Sequence, residues 1–230
     1  MRKSSGDEMI LSYNDVVLRR SDLHVLDGPR FLNDRIIEFY LTYLSTSRPS
    51  DQILMVSPSI SFWIMNCPDK EGLRDFVEPL KLPSRNLVIF PVNNNDDVDV
   101  AEGGSHWSLL AFERNANVFV HHDSSKGIND LFATRLYKAV GGFLGNSADL
   151  GAEPRYVKCS SSPQQQNGYD CGLYVLATAE VIHDWYRDSG SQDKESLWFS
   201  VVNERVTPSA VVRLRGEISE LIRGLMAHCL

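Results

Sequence analysis

No stretch of this chain stays apolar for the roughly 20 residues that a membrane span requires, so no spanning helix is expected. Basic charge is short: 23 Lys and Arg stand against 30 Asp and Glu, a net charge of −7. Phosphate backbones are bound by clustered Lys and Arg, so this deficit excludes nucleic acid as the main partner and suits a partner with a basic face. Cysteine is sparse, occurring only as Cys67, Cys159, Cys171 and Cys229. None of the spacings resembles a zinc site, and no metal or other cofactor is expected. The opening Met1-Arg2-Lys3-Ser4-Ser5-Gly6-Asp7-Glu8 lacks the apolar core of an export signal and reads as a frayed tail over residues 1–8. A reducing cytosol or nucleus, with free thiols, is therefore expected. Repeats and abrupt shifts of composition are missing too, so residues 9–230 are expected to fold as one domain, a monomer.

What is present is an ordinary globular balance, 43% hydrophobic and 23% charged. Leu11 to Arg20 alternates weakly, and Asp27-Gly28-Pro29 turns the chain. Asn33 to Tyr43 carries a helical stripe of Ile36, Ile37, Phe39, Tyr40 and Tyr43, with Asn33 as its cap. Ser57 to Asn66 reads as a shorter helix ending before Pro68, and Leu87 to Val92 as a buried strand. Asn93 to Ser105 is polar, acidic and glycine-ended, and reads as a long flexible loop. Strands are expected at Trp107 to Glu113 and Val118 to Asp123, a helix at Asn129 to Phe143 and a loop at Asn146 to Pro154. A short strand follows at Tyr156 to Cys159. Leu173 to Tyr186 is apolar nearly all round, the mark of a central buried helix. After a polar break at Asp188 to Glu195, Val211 to Met226 closes the chain as an amphipathic helix. The class is α+β.

The chemistry concentrates at Gln164-Gln165-Gln166-Asn167-Gly168-Tyr169-Asp170-Cys171-Gly172, which sets one cysteine where the buried helix begins. A helix N-terminus offers unpaired N–H groups and partial positive charge, and both favour a thiolate. Upstream, Gly104-Ser105-His106-Trp107 supplies a base and His121-His122-Asp123-Ser124 an acid. A tight turn centred between Arg114 and Asn115 would set His106 opposite Asp123 on neighbouring strands, about 5 Å apart at Cβ. An isolated cysteine titrates near 8.5, so His106 is needed to hold the thiolate and later to protonate a leaving amine. Asp123 would fix the ring's tautomer and orientation. The oxyanion would take the Cys171 backbone N–H and one glutamine amide, for which Gln164, Gln165 and Gln166 are chemically equal. Asp170 reads as a helix cap, and His121 and His122 lack further partners for a metal.

With these residues in view, the chain resembles the ubiquitin-like-protein-specific cysteine proteases, the clan that includes SUMO proteases and the adenoviral processing protease. The shared pattern is Gly104-x-His106-Trp107, then Asp123-Ser124, then Gln165-x-Asn167-x-x-Asp170-Cys171-Gly172. Within the clan it is most similar to the single-domain branch acting on the Nedd (in plants Rub) modifier. Leu32-Asn33-Asp34-Arg35-Ile36-Ile37, Glu78-Pro79-Leu80 and Phe143-Leu144-Gly145 carry that likeness.

The resemblance implies a papain-like α+β fold, Gln165 as the oxyanion donor, and cleavage after the modifier's terminal Gly-Gly. Maturation of the precursor and release of the modifier from conjugates such as cullins would share that chemistry. It also implies a narrow channel roofed by aromatics. Trp107 matches one roof residue, and Phe31 stands where the family usually has tryptophan, which removes an indole N–H. Asp34 would pair with a basic residue of the modifier's tail; equally, it is a first-turn acid favoured by the helix dipole. The Asn93 to Ser105 loop would be a flap ordered by the modifier, or a plain solvated loop. The other readings are a SUMO protease, a silent binding module for a ubiquitin-like protein, and an acyltransferase.

Overall fold

The computed structural model describes residues 7–100, 103–145, 152–189 and 197–228. Residues 1–6 of the expected tail, most of the loops expected at Asn146 to Pro154 and Asp188 to Glu195, and Cys229 lie outside them. Asp7 and Glu8, assigned to the tail, belong to the folded part: Asp7 accepts from Ser21, and Glu8 pairs with Arg20.

A five-stranded mixed sheet forms the centre, in the order β3 (Ile53–Met55), β4 (Leu87–Asn93), β5 (Trp107–Glu113), β6 (Val118–His122), β7 (Arg155–Lys158). Its middle pairs β4–β5 and β5–β6 are antiparallel, and the outer pairs β3–β4 and β6–β7 are parallel. A separate hairpin, β1 (Met9–Tyr13) with β2 (Val16–Arg19), turns through Asn14 and Asp15. Both have positive φ, 44° and 67°, as a two-residue hairpin turn demands. That turn divides the weak alternation from Leu11 to Arg20 into two strands.

Both faces of the sheet are covered, so its strands are apolar on both sides. From β4, Leu87 and Ile89 enter one core while Val88, Phe90 and Val92 enter the other. The first core is built with α1 (Arg20–His24), α2 (Asp34–Ser47), α6 (Cys171–Ser189), α7 (Phe199–Arg205) and α8 (Pro208–His228). The second uses α3 (Pro58–Asn66), α4 (Lys70–Val77) and α5 (Asp130–Gly141). The side chain of Asn33 accepts the Ile36 N–H (3.1 Å) and that of Ser57 the Ile60 N–H (3.3 Å), which fixes where α2 and α3 start. In α6, Leu173, Leu176, Ala179 and Ile182 are fully buried, as its all-round apolar sequence requires.

The β5–β6 hairpin differs from expectation in one respect. Glu113 pairs with Val118 and Leu109 with His122, so the turn is centred between Asn115 and Ala116, one residue later than expected. His106 therefore does not stand directly opposite Asp123 but two residues off. A shift of two preserves the face each side chain points to, whereas a shift of one would have separated them. The turn residue that sets this register is Asn117, with φ 47°.

Candidate active site

His106 comes just before β5, and the chain reaches it through a backbone that only glycine permits. Gly104 has φ +80°, and a Cβ there would lie 1.9 Å from Asn93 Oδ1. Asn94 Oδ1 accepts the N–H groups of Ser105 (2.7 Å) and His106 (3.0 Å). Asn95 bonds the Val100 carbonyl and the Asp97 N–H, and Asn93 Oδ1 accepts the Asn95 N–H. Three consecutive asparagines thus lace the described part of the Asn93 to Ser105 loop, of which residues 101 and 102 lie outside the described residues.

The imidazole is nearly buried, and its Nε2 lies 2.6 Å from Asp123 Oδ1. Asp123 also accepts the N–H groups of Ser125 (2.8 Å) and Asn129 (3.0 Å). Burial favours the neutral acid, but these bonds and the adjacent ring hold its carboxyl below the ordinary carboxylate range. Burial likewise pushes His106 down; its hydrogen bonds to Asp123 and Cys171, with their charges, outweigh that and raise it to about 9. The ring thus bonds an acid through Nε2, and the Cys171 side chain is near enough to favour its charge. At neutral pH it is an imidazolium.

Cys171 is the first residue of α6 and fully buried. Its neighbour Gly172 leaves no room for a side chain, because a Cβ there would sit 2.9 Å from Leu32 Cβ. Before it, Asn167 Oδ1 accepts the N–H groups of Tyr169 (3.1 Å) and Asp170 (3.0 Å), folding the turn that presents the thiol. The sequence makes Asp170 a helix cap. Instead, its carboxylate takes Asn167 Nδ2 (2.7 Å) and Arg215 (2.9 Å), and it is the backbone carbonyl that accepts from Tyr174.

The three glutamines, equal by sequence, differ in place. Gln164 spends its amide hydrogens on the carbonyls of Asp123 and Ser162, both at 2.9 Å. Gln165 is oriented by Ser124 Oγ (2.8 Å), bonds the Asn167 carbonyl (2.6 Å) with one hydrogen, and keeps a second one. It shares a cavity wall with His106, as does the exposed Gln166. Of His121 and His122, the first faces Ser108 and Asp130. The second, pushed down to about 3 by burial, is held neutral between Ser162 and the Trp198 N–H.

A cleft of about 810 Å³ leads to His106 and includes Phe31, Asp34 and Trp107 in its walls. Phe31 is half exposed, and the Trp107 indole N–H donates to the Leu32 carbonyl (3.1 Å), tying the two walls together. Among the described residues, Asp34 accepts only its neighbour's N–H, from Arg35 (3.0 Å).

Residues 30–196 match the Ulp1 protease family, C-terminal catalytic domain. The chain belongs to that family. Over 99% of its length and 98% of the relative's, it is 53% identical to NEDD8-specific protease 1 of Arabidopsis thaliana. It is 35% identical to human sentrin-specific protease 8, over 95% of this chain and 98% of that one. Among solved structures, the C-terminal Ulp1 protease domain in complex with Smt3, the yeast ortholog of SUMO, superposes with a TM-score of 0.65. That likeness covers 96% of this chain and 90% of the other at 21% identity, and it shows the fold. The expected α+β architecture of the Ulp1 proteases stands, and the protein is a cysteine protease of that family.

This Ulp1-family site also uses residues that the sequence reading passed over. Asn129 is fully buried; its N–H holds Asp123, while its side chain donates to the carbonyls of Val92 (3.0 Å) and His106 (3.2 Å). Arg215 reaches from α8 to Asp170 and to the carbonyls of Val25 (2.8 Å) and Arg30 (2.9 Å), one residue before Phe31. One signal was available for Arg215: a charge beside the apolar stripe Val211, Leu214, Ile218.

Proposed function

We propose that this protein hydrolyses the peptide or isopeptide bond after the C-terminal Gly-Gly of a ubiquitin-like modifier, and that the modifier is NEDD8 (Rub). The observation that carries the choice of modifier is the 53% identity, over nearly the full length of both chains, to NEDD8-specific protease 1. In this reading the tail lies in the cleft between Phe31 and Trp107, with Asp34 within reach of a basic tail residue.

The imidazolium of His106 and the start of α6 favour the thiolate of Cys171, whose sulfur attacks the terminal glycine carbonyl carbon. The oxyanion is held by the Cys171 N–H and the free amide hydrogen of Gln165. As the C–N bond breaks, His106 gives its proton to the departing amine, leaving a thioester. Water then attacks the thioester and gives a proton to His106. The C–S bond breaks, and a glycine carboxyl and the thiolate remain. Asp123 keeps Nε2 engaged throughout, so the other ring nitrogen always faces sulfur and leaving group.

The test is a set of modifiers bearing a C-terminal electrophile. NEDD8 is expected to form an adduct at Cys171 faster than SUMO or ubiquitin, and Cys171→Ala to form none. Faster labelling by SUMO would overturn the choice of modifier; binding without any adduct would overturn the hydrolytic reading.

A further inference from the structure

A second cavity, of about 370 Å³, shares Ser105 and His106 with the tail cleft but otherwise has its own walls, among them Ser125, Ile128, Gln166 and Gly168. No carboxylate lines it among the described residues, and its polar walls are neutral apart from His106. Ile128 is 53% exposed although large and apolar. It is held out rather than loose: its N–H bonds the Ser125 carbonyl (3.3 Å), and the same turn is pinned where Lys126 N–H meets Gln164 Oε1 (3.1 Å).

We propose that this groove seats the leaving group, and that it is built for the uncharged aliphatic stem of an acylated lysine. The proposal rests on the hydrolase reading above. The departing nitrogen must lie within hydrogen-bond reach of His106, since that ring protonates it. With the tail filling one cavity at His106, the other is the space left for the amine side. A lysine joined through its Nζ is an amide and carries no charge. Its four methylenes match a wall of isoleucine and its amide matches glutamine and serine side chains, with no counterion required. Once the C–N bond breaks and His106 has supplied the proton, the freed amine takes a further proton from solvent, because a lysine titrates near 10.4. The resulting ammonium finds no carboxylate among the described residues that line the groove, so the product is expelled while the acyl group stays on Cys171.

The experiment compares three reactions of the full chain with NEDD8 as modifier: an isopeptide to a lysine in a reporter peptide, Gly-Gly fusions whose next residue is leucine or free lysine, and labelling by the electrophile, which leaves the groove empty. Ile128→Ser is expected to lower the ratio of isopeptide cleavage to labelling roughly tenfold, the order of one lost apolar pocket contact. Gln166→Glu is expected to raise use of the lysine fusion relative to the leucine fusion, a gain that misfolding does not produce. Normal labelling with both ratios unchanged would overturn the groove alone. Absence of labelling in the unsubstituted protein would overturn the functional reading and this proposal with it.

Discussion

At the scale of single residues, His106 makes the behaviour of the site depend on pH. Burial opposes its charge, and Asp123 and Cys171 more than restore it, so that it titrates at about 9. In its proposed role of general acid it must be protonated, and kcat/KM should therefore fall along an alkaline limb near that value. The same shift bears on stability. The folded value exceeds the ordinary 6.5, so the stabilisation is complete below pH 6.5 and is lost as pH rises through about 9. Asp123→Asn removes a charge and an ion-paired bond that both raise the ring, so the limb should move toward lower pH while activity drops. A pH profile of both proteins measures this. A limb left near 9 in Asp123→Asn would show that another group governs it. The proposed nucleophile, base and orienting acid could be named from the chain, because those roles need particular residue types. Their spacing was misjudged by two residues, because the turn residue Asn117 adopts φ 47° and the register depends on that conformation. A parity argument survives an error of two, which is why the side chains still meet.

At the scale of elements, periodic apolar segments were readable: α2, α3, α5, α6 and α8 each begin or end within a few residues of where the pattern puts them. The elements missed, α1, β3, α4 and α7, are the short ones, held by neighbours more than by their own pattern. The start of α5 shows what a pattern cannot say. Asn129 stands at its N-cap position, yet its side chain makes no cap bond and crosses instead to the carbonyls of Val92 and His106. Its Oδ1 is buried without a partner among the described residues. This helix gives up its cap to fasten the backbone of His106. Asn129→Ala should leave those buried carbonyls short of a donor, at a cost of about 1–3 kcal/mol. Because His106 is freed while the cleft walls stay, kcat should fall more than KM rises. Thermal melting and steady-state kinetics with a reporter fusion check both parts; a change confined to melting would reduce Asn129 to a purely structural residue.

At the scale of the molecule, the sheet brings His106 and Asp123 to the ends of adjoining strands while α6 delivers Cys171 from the face covered by α2 and α8. What locks these parts together lies partly beyond the residues that match the family, which end at 196. Arg215, on α8, binds the Asp170 carboxylate one residue before the nucleophile and two carbonyls at the start of the cleft wall. Its guanidinium also lies over the Tyr169 ring, 5.9 Å from the centroid. A single side chain thus sets the distance between the thiol and the wall that carries Phe31. Asp170 is 6% and Arg215 12% exposed, so removing either partner strands a buried charge. Arg215→Met should cost about 3–5 kcal/mol for that reason. Arg215→Lys keeps the charge but not the planar fork that reaches three acceptors at once, and should recover stability better than activity. Labelling of Cys171 by a small alkylating reagent and by the NEDD8 electrophile separates the two ends of the clamp. A loose nucleophile turn slows both, whereas a displaced wall slows only the modifier. If Arg215→Lys restored both rates along with the melting temperature, charge alone would suffice and the clamp would be no more than an ion pair.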